Sequence, residues 1–228
     1  GGFEDIYNCN QTTVTYTKYW PGVDSLNPVI PYFNYCLGNI PNSGVGFQYP
    51  RHGNGFVAAD FLATTQFIAS RTYLKNRLKS LLIANETYCV KFYVNIYNNS
   101  SYGIDRFGAY FSNSSIDTVK YGHVPLSYYS PQIENISGNV ITDTLNWKVV
   151  TGTFVAKGDE KYMCIGNFFT TPNTHTLLIE PTYSNNVFCT VCIDDVSCIP
   201  LDLPAYAGPD RRFLPGEKLY LGRTQDVG

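Results

Sequence analysis

The chain has 228 residues, of which 44% are apolar, 15% aromatic and 15% charged, where soluble domains carry about a quarter charged. Its 16 Lys and Arg against 18 Asp and Glu leave a net charge of −2, which gives no electrostatic ground for nucleic acid as a partner. The 14 Phe and 19 Tyr exclude intrinsic disorder, and no apolar run approaches the roughly 18 residues of a membrane helix.

The length suits one large β domain, or one domain with a fragment of another. A start at Gly1-Gly2 leads to the expectation of a processed or trimmed chain. Residues 9 to 60 read as irregular, with Pro, Gly and Asn among scattered Tyr and Phe. They form either a ligand-bearing loop region or a packed cap over one end of a sandwich. Next, Arg71 to Leu82 carries Leu at helical spacing, and periodicity alone makes it an amphipathic helix.

Strand signals then dominate. Tyr88 to Tyr97 alternates and is β-branched or aromatic, as are Phe107 to Phe111, Trp147 to Val155, Tyr162 to Phe169, Thr176 to Glu180 and Val187 to Val196. Turn clusters separate them, among them Asn98-Asn99-Ser100-Ser101, Asn113-Ser114-Ser115 and Thr171-Pro172-Asn173. Strands at such intervals predict an all-β, antiparallel sandwich over 1–199. Residues 200–212 read as a linker, and 213–228 hold one orphan strand, centred on Glu217-Lys218-Leu219-Tyr220-Leu221-Gly222. That strand either starts a truncated domain or is donated to a partner, because an unpaired apolar strand invites association.

Seven cysteines stand at 9, 36, 89, 164, 189, 192 and 198. Cys189 and Cys192 have Cys-x-x-Cys spacing, but they lie in a strand-like run and no second pair completes a zinc site. The pattern suggests export with some disulfides. The pairings expected are Cys9 with Cys36 and Cys192 with Cys198, with Cys164 a buried free thiol.

Four segments together resemble the galactose-binding-like jelly rolls, especially xylan- and glucan-binding carbohydrate-binding modules. They are Gly2-Phe3-Glu4-Asp5, Tyr88-Cys89-Val90-Lys91-Phe92-Tyr93-Val94, Trp147-Lys148-Val149-Val150-Thr151-Gly152-Thr153-Phe154 and Cys192-Ile193-Asp194-Asp195-Val196-Ser197. The Asn that opens the family's first motif is absent here. Phe3 to Cys9, Tyr32 to Cys36 and Ile104 to Ser112 are similar to patterns in N-terminal domains of surface proteins exported by the type IX secretion system of gliding bacteria. Ala207-Gly208-Pro209-Asp210 looks like the entry to the immunoglobulin-like repeats that follow in such proteins.

The resemblance implies a jelly roll in which 71–82 is a strand, overriding the helical periodicity. It implies a structural calcium held by Glu4 and Asp195, with Asp194 as a further ligand, because the first and last strands would lie side by side. Like charges brought together there cost free energy unless a hard cation accepts them. It also implies a secreted or cell-surface glycan binder or adhesin.

A glycan site stacks Tyr or Trp faces on sugar rings and orients hydroxyls with polar side chains. Tyr19, Trp20, Tyr32, Tyr35, Tyr49, Arg51, His52, Tyr102 and Tyr128 lie in irregular, exposed-looking segments. Trp20, Tyr32, Tyr49, Arg51 and Tyr102 lead this set, and Trp147 reads as core. Catalytic signals are poor: His52, His123 and His175 sit in unrelated segments, and no carboxylate pair stands out among Glu86, Glu134, Glu160 and Glu180. The reading is a non-catalytic glycan-binding or adhesion module. One alternative is a subunit of a surface assembly or filament built by β-strand addition, with residues 213–222 pairing in a neighbour. The other is a non-catalytic fragment of an exported glycoside hydrolase.

Overall fold

The computed structural model describes residues 2–9, 12–13, 17–18, 20, 30–43, 46–64, 69–116, 125–180 and 187–202. The linker beyond 202, the strand at 213–222, Tyr19 and His123 lie outside the described residues. In chain order the strands are β1 (Tyr32–Asn34), β2 (Gly55–Thr64), β3 (Ala69–Ser70), β4 (Leu74–Arg77), β5 (Thr87–Ile96) and β6 (Tyr102–Ile104). They continue with β7 (Gly108–Ser112), β8 (Ile133–Glu134), β9 (Lys148–Val155), β10 (Tyr162–Gly166), β11 (Thr176–Leu178) and β12 (Val187–Pro200).

One sheet has the order β1-β2-β12-β5-β9, with β3 on β2; a second has the order β4-β10-β7-β8. β6 and β11 form a short ribbon, and every pairing is antiparallel. Followed along the chain, β2, β5, β9 and β12 fall in one sheet, and β4, β7, β8 and β10 in the other. This division of eight strands is the jelly-roll double Greek key. Among the described residues no helix is long and apolar enough to cross a membrane.

Period-two patterning explains the sandwich. In β5, Val90, Phe92 and Val94 are buried while Lys91 and Tyr93 face out. Opposite them the core takes Leu74, Ala109, Phe111, Met163 and Ile165 from the second sheet. Each fully buried large apolar side chain contributes about 1.5–3 kcal/mol. The 71–82 stretch holds no helix, and its strand is confined to Leu74–Arg77. β4 pairs with β10 from Leu74↔Ile165 to Arg77↔Tyr162, and Leu74 is wholly buried. Sheet pairing overrides the local helical preference.

β2 enters the segment that reads as irregular. Gly55 to Thr64 is central, buried on both faces for most of its length, and so does not alternate. Its inner face joins the core through Val57, Ala59 and Phe61. Its outer face carries Phe56 and Ala58 into a second cluster with Phe33, Tyr97 and Cys192, against which Ile40 and Trp147 pack. Phe33 stacks on Phe56 at 4.8 Å. The residues around 33–40 are therefore a packed cover over the outer face of the large sheet, and Trp147 belongs to that cover rather than to the sandwich core.

Cys9 and Cys36 form the expected disulfide, with Cα atoms 5.7 Å apart. Asn34 sets one end: its Oδ1 accepts the Cys36 N–H at 2.9 Å. The second expected pairing fails. Cys192 and Cys198 are both free thiols on the single strand β12, and six residues of extended chain hold them about 20 Å apart. Cys189 points into the main core and Cys192 into the outer cluster, which separates the two thiols of the Cys-x-x-Cys. Cys164 is a buried free thiol, as expected.

Candidate functional site

Two polar constellations stand out. The first brings the chain's opening to its closing strand, though not by strand pairing. β12 has β2 and β5 as neighbours, and among the described residues the opening stretch 2–9 makes an isolated bridge, Ile6↔Thr17. The contact runs through the turn at 51–54. A bulge in β12 between Asp194 and Ser197, with Asp195 at φ 51°, breaks alternation and buries both carboxylates. The Arg51 and His52 N–H groups donate to Asp194 Oδ2 at 2.9 and 3.3 Å, and the Asp195 N–H donates to Asp194 Oδ1 at 2.7 Å. The Arg51 guanidinium pairs with the Asp195 carboxylate. The Asn54 N–H donates to Glu4 Oε2 at 2.6 Å.

Gly53 is required in this turn. Its φ is 68°, and a Cβ there would meet the Glu4 carboxylate at 2.4 Å. Burial, then the Asp195 charge, pushes Asp194 up to about 7; burial likewise raises Glu4. Both groups bind protons more tightly folded than unfolded. Their contribution to stability is therefore complete below the unfolded carboxylate range near 4 and is lost as pH rises through about 7. Thermal unfolding should show a melting temperature several degrees lower at pH 8 than at pH 5. The groups that face Asp194 are the Asp195 carboxylate and backbone N–H and the Arg51 and His52 backbone N–H groups. An unchanged midpoint would contradict the assignment.

The donor set does not fit calcium. Ca²⁺ takes six to eight oxygen ligands, whereas this turn aims backbone N–H groups and a guanidinium at the carboxylates. Glu4 Oε1 is buried without a hydrogen bond, but one bare oxygen is far short of a cage. Among the described residues no three His, Cys, Asp or Glu side chains converge as a metal-holding group.

The leading glycan residues do not come together. Trp20 and Tyr32 are each 1% exposed. Trp20 packs on Phe3 at 5.2 Å, and the Tyr32 hydroxyl donates to the Phe3 carbonyl at 2.6 Å. Both are core residues, because the irregular opening folds down onto the sandwich. Tyr102 lies in the β6–β11 ribbon opposite Leu178. Tyr49 is exposed and edge-on to Phe47, with its carbonyl accepting the Trp147 indole N–H at 3.1 Å. Arg51 is engaged by Asp195 and lies 3.5 Å over the Tyr93 ring.

The second constellation is a cleft of about 490 Å³ on the second sheet. Tyr110, Tyr128 and Tyr129 form one aromatic wall. Tyr110 and Tyr129 lie 4.8 Å apart and Tyr128 and Tyr129 4.4 Å, and Tyr128 is 59% exposed. The turn carrying the pair is closed by the Tyr129 N–H on the Leu126 carbonyl. Gln132 braces β7, accepting the Phe111 N–H at 2.8 Å and donating to its carbonyl at 3.0 Å. Polar groups complete the lining: Asn113 donates to Asp159 at 3.1 Å, and Ser112 and Lys157 also line the cleft. Glu160 is tied to the loop itself, accepting the Lys157 and Gly158 N–H groups at 2.8 and 3.0 Å.

Of this cleft, Tyr128 is among the sequence candidates; Tyr110, Tyr129, Asn113 and Asp159 are not. A usable signal exists, since alternation in Phe107 to Phe111 turns Tyr110 to the face opposite Ala109 and Phe111.

No protein-family model matches the chain, and no curated protein does. Among solved structures, the K1 cleaved adhesin domain of Lys-gingipain from Porphyromonas gingivalis is similar at 14% identity and TM-score 0.45, covering 88% of this chain and 96% of its own. The CBM22-1 xylan-binding domain of Paenibacillus barcinonensis Xyn10C is similar at 9% identity and TM-score 0.42, covering 88% and 97%. The enzymatically active domain of bacteriophage CBA120 tailspike protein 4 is similar at 8% identity and TM-score 0.39, covering 86% and 21%. Overlap of this extent carries no functional information.

Proposed function

We propose that the chain is a non-catalytic extracellular module that binds glycan or mediates adhesion, with its ligand in the tyrosine cleft. The observation that carries this is the run of Tyr110, Tyr128 and Tyr129 in a cleft that Asn113, Asp159, Lys157 and Ser112 also line. Aromatic faces take the C–H surfaces of a sugar ring, while amide, carboxylate, ammonium and hydroxyl groups bond its hydroxyls. The volume is in the range of small-ligand sites, roughly 300–1,000 Å³. The Cys9–Cys36 disulfide supports an exported location.

Affinity electrophoresis against plant, algal and microbial polysaccharides tests the reading. At least one polysaccharide should retard the protein, and Tyr128→Ala with Tyr129→Ala should weaken retention by about 10–100-fold, the loss of one or two stacked rings at roughly 1–3 kcal/mol. Retardation that survives the double substitution would place the ligand elsewhere.

A further inference from the structure

The clasp between Glu4, the 51–54 turn and the Asp194-Asp195 bulge occupies the place where the resemblance implies calcium, yet its chemistry is that of a built-in cation. We propose that Arg51 is the resident cation of this clasp, so that its guanidinium joins the opening segment to the closing strand without a divalent ion. Three observations converge on that residue.

Its guanidinium meets Asp195, whose side chain is 3% exposed, while its own is 34% exposed. The carboxylate is therefore withdrawn from water and the positive charge is delivered to it from the rim. The guanidinium also lies 3.5 Å over the Tyr93 ring, and Tyr93 is the cross-strand partner of Asp194. A ring on β5 and a carboxylate on β12 thus fix the planar group between them, an arrangement suited to Arg and not to a bare ion. The same residue's backbone N–H, with that of His52, donates to Asp194 Oδ2. One turn therefore neutralises both acids of the bulge.

The next residues complete the closure, because the Asn54 N–H reaches Glu4 Oε2. Every one of these donors turns the positive end of its dipole toward the carboxylates. A divalent ion placed among them would face dipoles of its own sign and the guanidinium that already holds Asp195 Oδ2. The exposed edge of the guanidinium keeps part of its hydration, which lowers the desolvation cost of the pair.

The test is thermal unfolding of the 228-residue chain after chelator treatment, in EGTA and in excess calcium chloride, for wild type, Arg51→Met and Arg51→Lys. The wild type should melt at the same temperature in both media. Arg51→Met should melt about 4–8 °C lower, and Arg51→Lys should fall between, keeping the charge but losing the planar stack. A wild-type midpoint that rises with calcium would overturn the proposal, as would an Arg51→Met midpoint equal to the wild type. If Arg51→Met does not fold, Arg51→Lys and the wild-type calcium comparison still decide the matter.

Discussion

Replacing Asp105 by alanine is expected to cost roughly 3–5 kcal/mol, the usual consequence of removing one partner from a buried charged network. Asp105 is fully buried where β6 ends, and both carboxylate oxygens are used. Oδ1 accepts the His175 backbone N–H at 2.9 Å, and Oδ2 accepts the Gly138 N–H at 2.7 Å and lies 2.7 Å from His175 Nδ1. Its carbonyl accepts the Asn135 amide at 2.7 Å. Beside it, Arg106 lies 4.1 Å over the Phe169 ring and donates to the Asn173 carbonyl at 3.1 Å. One carboxylate therefore gathers three separate chain segments, around 105, 138 and 175. Its loss leaves two part-buried backbone N–H donors, of Gly138 and His175, and the His175 ring without their acceptor, and empties a fully buried site. Urea unfolding measures this directly. His175→Ala should cost only about 1 kcal/mol, since that side chain is largely exposed. Equal costs for the two substitutions would show that Asp105 is not the centre of the network.

The second large effect lies in the Cys9–Cys36 disulfide. Opening it, by Cys9→Ser with Cys36→Ser, should cost roughly 3–4 kcal/mol from the chain entropy of a closed loop this long. The bridge spans 27 residues. The segment it ties down carries Phe3 into the core and Glu4 into the clasp, and among the described residues 2–9 its strand-like pairing is the isolated Ile6↔Thr17 bridge. Reduction should therefore loosen the opening before the sandwich. The remaining thiols do not interfere. Cys164, Cys189 and Cys192 are buried, and burial pushes Cys164 up to about 12 and the other two upward as well. A thiol reagent acting on native protein should meet partly exposed Cys89 first, because burial pushes the Cys198 thiol up to about 12 as well. A double-serine variant as stable as the wild type would show that burial of Phe3 and Trp20 holds the opening by itself.

Several parts of this molecule are legible in its sequence because one physical rule dominates them. β5 has a mainly polar outer face and an apolar inner one of Tyr88, Val90, Phe92 and Val94, so alternation locates it to within a residue or two. β7 and β9 follow in the same way, whereas the reading of Tyr162 to Phe169 overruns β10 by three residues and that of Val187 to Val196 stops four residues short of the end of β12, strands that are buried on both faces over much of their length. β2 escapes because its two faces are both covered, which removes alternation, and because its alanines carry little strand preference. The 71–82 segment shows the opposite conflict: Leu spacing favours a helix, and only the pairing of Leu74 to Arg77 with β10 decides for a strand.

The candidate sites divide along similar lines. The approach of Glu4 to Asp194 and Asp195 is anticipated, but the agent is Arg51 and a turn of backbone donors, which no spacing in the chain announces. Trp20 and Tyr32 look exposed because irregular segments usually are, and they are core because this irregular segment packs inward. The tyrosine cleft joins residues near 110, 128 and 159. Its assembly depends on β7 and β10 being neighbours and on the loop between β9 and β10 returning beside them.

Backbone-resolved nuclear magnetic resonance during titration with a retained oligosaccharide tests the central proposal most directly. Shifts should concentrate at Tyr110, Asn113, Tyr128, Tyr129 and Asp159 and saturate together. A titration whose shifts gather around Tyr49, Arg51 and Tyr93, or a full glycan panel that moves no resonance in the cleft, would contradict it.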